Sequence, residues 1–115
     1  MNRARSNLAL AKNRIPGAYL EDLCFGAQQA AEKAIKAVMI AREIEFPYVH
    51  DLGSLLSLLE ETGEPVPEAI HAAVSLTTYA TTTRYPNAGT PVTEGEYRQA
   101  IIIAEAVVRW GEERV

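Results

Sequence analysis

The sequence predicts an all-α protein, an antiparallel up-and-down bundle of four main helices preceded by a short N-terminal helix. Apolar residues recur at spacings of three and four over long segments, and breaks that contain proline or glycine separate these segments. No segment alternates apolar and polar residues as strands do. Because the links between segments are short, consecutive helices should be antiparallel neighbours.

Composition limits the class of protein. The 115 residues are enough for one domain, residues 1–115, and a formal net charge of −4 argues against a general nucleic-acid coat while leaving room for a local basic patch. Cys24 is the one cysteine, which excludes a disulfide within the chain and favours a reducing compartment. We find no signal-peptide core and no apolar stretch of membrane-spanning length, so we expect a cytoplasmic protein with no membrane association.

The first helix is predicted over about residues 2–13, before the break at Pro16-Gly17. Its inner side should carry Ala4, Leu8, Ala11 and Ile15. Four basic residues lie in or just after it, either as a solvated face or as a contact for phosphate, namely Arg3, Arg5, Lys12 and Arg14.

The central helix is predicted over about residues 18–43, and the other helices are arranged around it. Its apolar positions form a seam made mostly of alanine, which allows close helix packing: Leu20, Cys24, Ala27, Ala31, Ala34, Val38 and Ala41. Gly26 in a helix interior suggests that another backbone approaches there. Beside the seam is a polar face that we expect to meet a ligand, composed of Gln28, Gln29, Glu32, Lys33 and Lys36.

Cap chemistry and periodicity place three further helices. One should run over residues 52–61, capped by Asp51 or His50. The next is predicted over about residues 68–83, with an inner side of Ile70, Ala73, Val74, Thr77 and Ala80. The last should begin at Thr93, where Thr93 and Glu96 fit a capping box, and end near Glu113.

The last helix carries more apolar surface than one seam needs. Ile102 and Ile103 extend it, and Trp110 should cover the edge of the bundle or a partner. A wide core would explain this surface, and so would a second copy of the chain. We favour a homodimer.

We expect no metal and no other cofactor. His50 and His71 are the only histidines, they lie on different elements, and no cysteine or histidine spacing fits zinc or di-iron.

The remaining polar groups would suit a nucleotide if they converge, with cations for phosphate, an aromatic face for a base and amides for base edges. They are Gln29, Lys33, Lys36, His50, Asp51, Tyr79, Arg84 and Tyr85. Capping, packing and solvation are the alternative roles for each.

Three motifs together resemble the HEPN domain, in the order and spacing of its small prokaryotic stand-alone form. They are FGAQQAAEKAIKA at residues 25–37, PYVHDL at residues 47–52 and TRYP at residues 83–86. The resemblance implies a helical bundle, usually dimeric, that binds nucleotides or RNA. It also implies a partner, a minimal nucleotidyltransferase, and many such pairs act as toxin and antitoxin.

Ribonuclease members of this family use an arginine and a histidine four to six residues apart. Here Arg42 is the nearest arginine before His50, seven residues intervene, and no histidine follows Arg84. The leading hypothesis is therefore a nucleotide- or RNA-binding subunit without its own catalysis. A metal-independent ribonuclease that uses His50 and Arg42 is the first alternative, and a helical interaction module that docks through Trp110 and Ile102 or Ile103 is the second.

Overall fold

A computed structural model describes residues 1–46, 51–81 and 91–115. The fold is an all-helical antiparallel bundle, as the sequence predicts. Its α-helices are α1 (Asn2–Lys12), α2 (Leu20–Ala41), α3 (Leu52–Glu61), α4 (Glu68–His71), α5 (Thr78–Thr81) and α6 (Glu94–Glu112), with a 3₁₀ helix (Ala72–Thr77) between α4 and α5.

The alanine seam places α2 at the centre of the molecule. Its positions from Cys24 to Val38 are fully buried, whereas Leu20 is half-buried and Ala41, predicted as part of the seam, is exposed because α2 ends there. A Cβ at Gly26 would lie 3.3 Å from the Cβ of Ala11, so the predicted close approach of another backbone is confirmed and that backbone is α1.

Helix α1 lies antiparallel to α6, and three ion pairs join α1 and the residues just after it to α6. Arg5 pairs with Glu112. The other two pairs are Lys12 with Glu105 at 2.7 Å and Arg14 with Glu94 at 2.6 Å. Ala4 and Ala11 are buried as predicted, but Ile15 is exposed, because it lies beyond the end of α1. Three of the four basic residues near the N-terminus therefore bind α6 rather than face solvent alone.

The segment from α4 to α5 departs from the predicted regular helix. Its buried residues recur every three positions, at Ile70, Ala73, Leu76 and Tyr79. A 3₁₀ helix has three residues per turn, so positions three apart fall on one face. The α-helical prediction for Val74 was wrong for this reason: Val74 is 43% exposed, and Leu76 takes its place in the core.

Helix α6 begins with the predicted capping box. Thr93 Oγ1 accepts from the backbone N–H of Glu96 at 3.1 Å, and the Glu96 carboxylate accepts from the backbone N–H of Thr93 at 2.9 Å. At its other end Trp110 is buried under the guanidinium of Arg114, which lies 4.8 Å from the ring centroid.

The suggestion that Trp110 and Ile103 form a docking surface is wrong. Both side chains are buried in the bundle, Trp110 at 5% and Ile103 at 7% exposure. Ile102 is different, with 58% of the residue exposed.

Candidate functional site

A cavity of about 350 Å³ lies between the first turn of α1 and the second half of α2. Arg3 lines it from α1, and Lys33, Lys36 and Ile40 line it from α2. Residues three and four apart share one face of a helix, so the spacing of these α2 residues directs all of them into the same cavity. Two of the lysines that the sequence predicts for phosphate thus lie together, and Arg3 joins them.

Lys33 is held in place by a neutral partner. Its Nζ donates to Oδ1 of Asn7 at 2.8 Å, which ties α2 to α1 next to the cavity. An amide oxygen orients an ammonium group but does not cancel its charge. Among the described residues the Lys33 ammonium thus has a hydrogen-bond partner but no carboxylate partner at the cavity wall.

Lys36 belongs to a row of hydrogen-bonded polar side chains along α2. Its Nζ lies 2.9 Å from Oε2 of Glu32, and the amide of Gln28 donates to Oε1 of the same carboxylate at 2.9 Å. Gln29 in turn donates to Oε1 of Gln28 at 2.7 Å. Glu32 is only 4% exposed, so this carboxylate compensates Lys36 in a sheltered setting. The Lys36 ammonium also lies over the ring of Phe46, with Nζ 5.5 Å from the ring centroid.

The charge of the cavity follows from these contacts. Arg3 forms no ion pair among the residues that the structure describes, Lys33 has an amide partner, and only Lys36 has a carboxylate. Two cations are thus left without a matching acid around one concave surface. Ile40, 66% exposed, adds an apolar wall. Such a combination suits an anion that carries an apolar or aromatic portion.

Tyr79 lies elsewhere. It is 9% exposed and lines a separate cavity of about 280 Å³ together with Glu96 and Gln99 of α6. Burial raises the pKa of Tyr79 to about 12 and that of the neighbouring Cys24 thiol to about 11. Both groups are therefore neutral at physiological pH. The structure does not bring Tyr79 to the cavity that Lys33 and Lys36 line.

Asp51 caps α3. Its carboxylate accepts from the backbone N–H of Gly53 at 3.0 Å and from the hydroxyl of Ser54 at 2.9 Å. The sequence leaves the cap open between Asp51 and His50, and the structure assigns it to Asp51.

Arg42, the arginine of the ribonuclease alternative, lies in a cluster at the opposite end of α2 from Tyr79. Its guanidinium pairs with Glu64 at 2.6 Å and donates to the backbone carbonyl of Arg114 at 3.0 Å. Arg114 also pairs with Glu64, at 3.1 Å. This cluster joins the end of α2, the loop after α3 and the end of α6. His50, Arg84 and Tyr85, the remaining predicted site residues, lie outside the described residues.

Sequence reasoning named the cavity lysines but did not connect them to Arg3 or Asn7. The available signal was weak: Asn7 follows Arg3 by four residues, so both share a face of α1. Which helix packs against that face depends on tertiary contacts, and these cannot be predicted from the local spacing of residues. Glu64 and Arg114 were missed for the same reason, since neither belongs to a motif.

Neither a cluster of metal ligands nor a membrane-spanning helix is present in the described residues. Among residues 1–46, 51–81 and 91–115, no three His, Cys, Asp or Glu side chains are grouped as metal ligands would be. Within the same ranges, every helix is too short or too polar to cross a lipid bilayer.

Comparisons with known proteins agree with this architecture. The family described as "HEPN domain" matches residues 1–115. The crystal structure of TT1696 from Thermus thermophilus superposes with a TM-score of 0.83 at 33% sequence identity, covering 99% of this chain and 94% of that one. No curated protein matches the chain. The chain therefore belongs to the HEPN domain family.

Proposed function

We propose that the protein is a nucleotide- or RNA-binding subunit that holds a phosphate group in the cavity between α1 and α2 and works with a minimal nucleotidyltransferase. Membership of the HEPN family, generally concerned with nucleotides and RNA, supports the ligand class. The observation that carries the proposal is the pair of cations, Arg3 and Lys33, that line this cavity and have no carboxylate partner in the described part of the chain.

The two cations supply different interactions. The guanidinium of Arg3 presents a planar fork of donors that fits two oxygens of one phosphate, and the Lys33 ammonium adds a point charge held by Asn7. The exposed side chain of Ile40 and the stem of Lys36 offer apolar contact to a sugar or base. Glu32 keeps Lys36 in place, so little side-chain entropy remains to be lost on binding.

Calorimetric titration of the purified protein with ATP, and separately with a short single-stranded RNA, tests this function. We expect heat of binding from the wild type and a loss of about ten- to a hundredfold in affinity for Lys33→Gln and for Arg3→Gln, since a hydrogen bond to a charged group contributes about 1.5–3 kcal/mol. The matched control is Lys12→Gln, which removes the same charge from α1 where Lys12 pairs with Glu105. Equal losses in all three variants, or no heat with either ligand, would contradict the proposal.

The partnership has its own test. A minimal nucleotidyltransferase encoded next to this gene should co-elute with the protein in gel filtration after co-expression. Expression of each protein alone, compared with the pair, then shows whether either slows growth and whether the other relieves it. Separate elution at micromolar concentrations would exclude the partnership, and the proposal of a phosphate site would stand independently of that result.

A further inference from the structure

The charge of the cavity between α1 and α2 limits which form of phosphate fits there. Within the part of the chain that the structure describes, its lining holds three basic side chains, Arg3, Lys33 and Lys36, and no carboxylate. The Lys36 ammonium is already paired with the buried carboxylate of Glu32. The other two cations have no such partner among the same residues, so two positive charges stay uncompensated. A ligand with two negative charges balances them.

A phosphate group carries two negative charges only where it is terminal. A phosphomonoester has a charge of about −1.5 to −2 at pH 7 and three acceptor oxygens. A phosphodiester inside a nucleic acid strand carries a single charge, because two of its oxygens are bonded to sugars. The charge of the cavity therefore favours a free nucleotide, or the end of a strand, over an internal position.

The donors around the cavity also suit three oxygens. The guanidinium of Arg3 presents donors for two oxygens side by side, and the Lys33 ammonium, held by Asn7 at 2.8 Å, donates to the third. The first turn of α1 lines the same cavity, and Met1 at the N-cap provides no side-chain acceptor for its backbone N–H groups. These N–H groups favour an anion at this place, and they add to the two side chains rather than form a site by themselves.

The basic residues near the cavity do not form a track for an extended strand. Arg5, Lys12 and Arg14, which lie in α1 or just after it, each pair with a glutamate of α6. The chain as a whole has a net charge of −4, which opposes a long polyanion. Proteins that bind along single strands present a positively charged groove that follows the backbone. Among the described residues of α1 and α2, the uncompensated cations that lie together are instead those of one cavity.

We propose that this cavity binds a terminal phosphate, a phosphomonoester dianion on a mononucleotide or at the end of an RNA strand, and discriminates against internal phosphodiesters. This inference rests on the proposed function and names the form of phosphate that the site accepts. Arg3 and Lys33 bind the oxygens of the monoester, and the sugar that carries it lies against Ile40.

Fluorescence anisotropy with a short single-stranded RNA tests the preference. The probe is one hexanucleotide with a 3′ fluorophore, prepared with a 5′-phosphate and, separately, with a 5′-hydroxyl. We expect the phosphorylated form to bind about ten- to a hundredfold more tightly, because the added charge forms charge-assisted hydrogen bonds. Competition with AMP distinguishes the two sources. Competition as strong as that of unlabelled 5′-phosphorylated RNA indicates a mononucleotide, and weaker competition indicates an RNA end.

Two arginine variants assign the preference to the cavity. Arg3→Gln should lower the affinity for the phosphorylated RNA by about tenfold and leave that for the hydroxyl form nearly unchanged, so the ratio between the two forms falls toward one. Arg5→Gln is the matched control, since it removes the same charge from the same helix where Arg5 pairs with Glu112. It should leave the ratio unchanged. Thermal melts followed by circular dichroism confirm that both variants are folded.

Three results would overturn the inference. Equal affinity of the wild type for the two RNAs shows that the cavity does not select a terminal phosphate, while the proposed binding of nucleotides or RNA stands. A preference that Arg3→Gln retains, or that Arg5→Gln removes to the same extent, shows that the terminal phosphate binds elsewhere. No binding of either RNA and no heat with AMP contradict the proposed function itself, and the inference fails with it.

Discussion

Single residues of small volume determine how closely the helices of this bundle pack. Gly26 faces Ala11 across the contact between α2 and α1, and Tyr97 of α6 donates to the Ala11 carbonyl, so three helices meet at one point. Two effects oppose each other at Gly26. Helix propensity favours alanine over glycine, whereas the limited space between α1 and α2 favours the smaller residue. Tertiary space is the larger effect for any side chain beyond a methyl group.

Substitutions at Gly26 test this balance. Gly26→Ala should change the free energy of unfolding little, because a helix-propensity gain of about 1 kcal/mol is offset by the 3.3 Å contact with Ala11. Gly26→Leu should destabilise the protein by about 1–3 kcal/mol through overpacking. Gly95→Ala is the control: a Cβ there meets only Thr93 Oγ1 at 3.9 Å, so it should be neutral or stabilising. Urea unfolding followed by circular dichroism measures all three.

At the scale of elements, the helix caps could be predicted from the sequence, whereas the 3₁₀ helix could not. The start of α3 and the start of α6 follow from Asp51 and from Thr93 with Glu96, because a cap is a contact between residues two or three apart. The 3₁₀ helix depends instead on which residues reach the core. Val74 and Leu76 are both apolar, and only packing against α2 and α6 decides between them.

Truncation of these two residues separates the two helical geometries. Leu76→Ala should lower the free energy of unfolding by about 2–5 kcal/mol, because Leu76 is fully buried. Val74→Ala should cost less than about 1 kcal/mol, because Val74 is 43% exposed. The measurement is the midpoint of urea unfolding at constant slope. A reversal of this order would mean that the segment is a regular α-helix in solution.

The candidate site was only partly predictable for a similar reason. The spacing of Lys33 and Lys36 puts both on one face of α2 in any helical arrangement, so the sequence predicts their proximity. Their separation from Tyr79 depends on where α5 crosses α2, and no local pattern encodes that crossing. Arg3 reaches the cavity only because α1 packs on α2 through Gly26 and Ala11.

On the scale of the whole molecule, a buried thiol and a buried phenol make the free energy of unfolding depend on pH in the alkaline range. Burial raises the pKa of Cys24 from 9.0 to about 11 and that of Tyr79 from 10.0 to about 12. The folded state thus holds these protons more tightly than the unfolded state does. Their contribution to stability is complete below about pH 9 and is lost as the pH rises toward 11 and 12.

The free energy of unfolding should therefore fall between pH 9 and pH 11, with a slope of up to about 1.4 kcal/mol per pH unit for each group. Tyr79→Phe should remove part of this slope without moving its onset at pH 9, since Cys24 deprotonates first in the unfolded chain. Urea titrations at pH 7.5, 9, 10 and 11 measure the slope. A constant free energy across this range would show that neither group is sheltered.

The contact between Trp110 and Arg114 gives the molecule an intrinsic optical reporter. Trp110 is the only tryptophan in the chain, and its ring lies beneath the guanidinium of Arg114. Glu64 pairs with this guanidinium and also with that of Arg42. Emission from this indole consequently monitors one junction, where the ends of α2 and α6 meet the loop after α3. A shift to longer wavelength would register opening of that end of the bundle even while the circular dichroism of the helices stays constant.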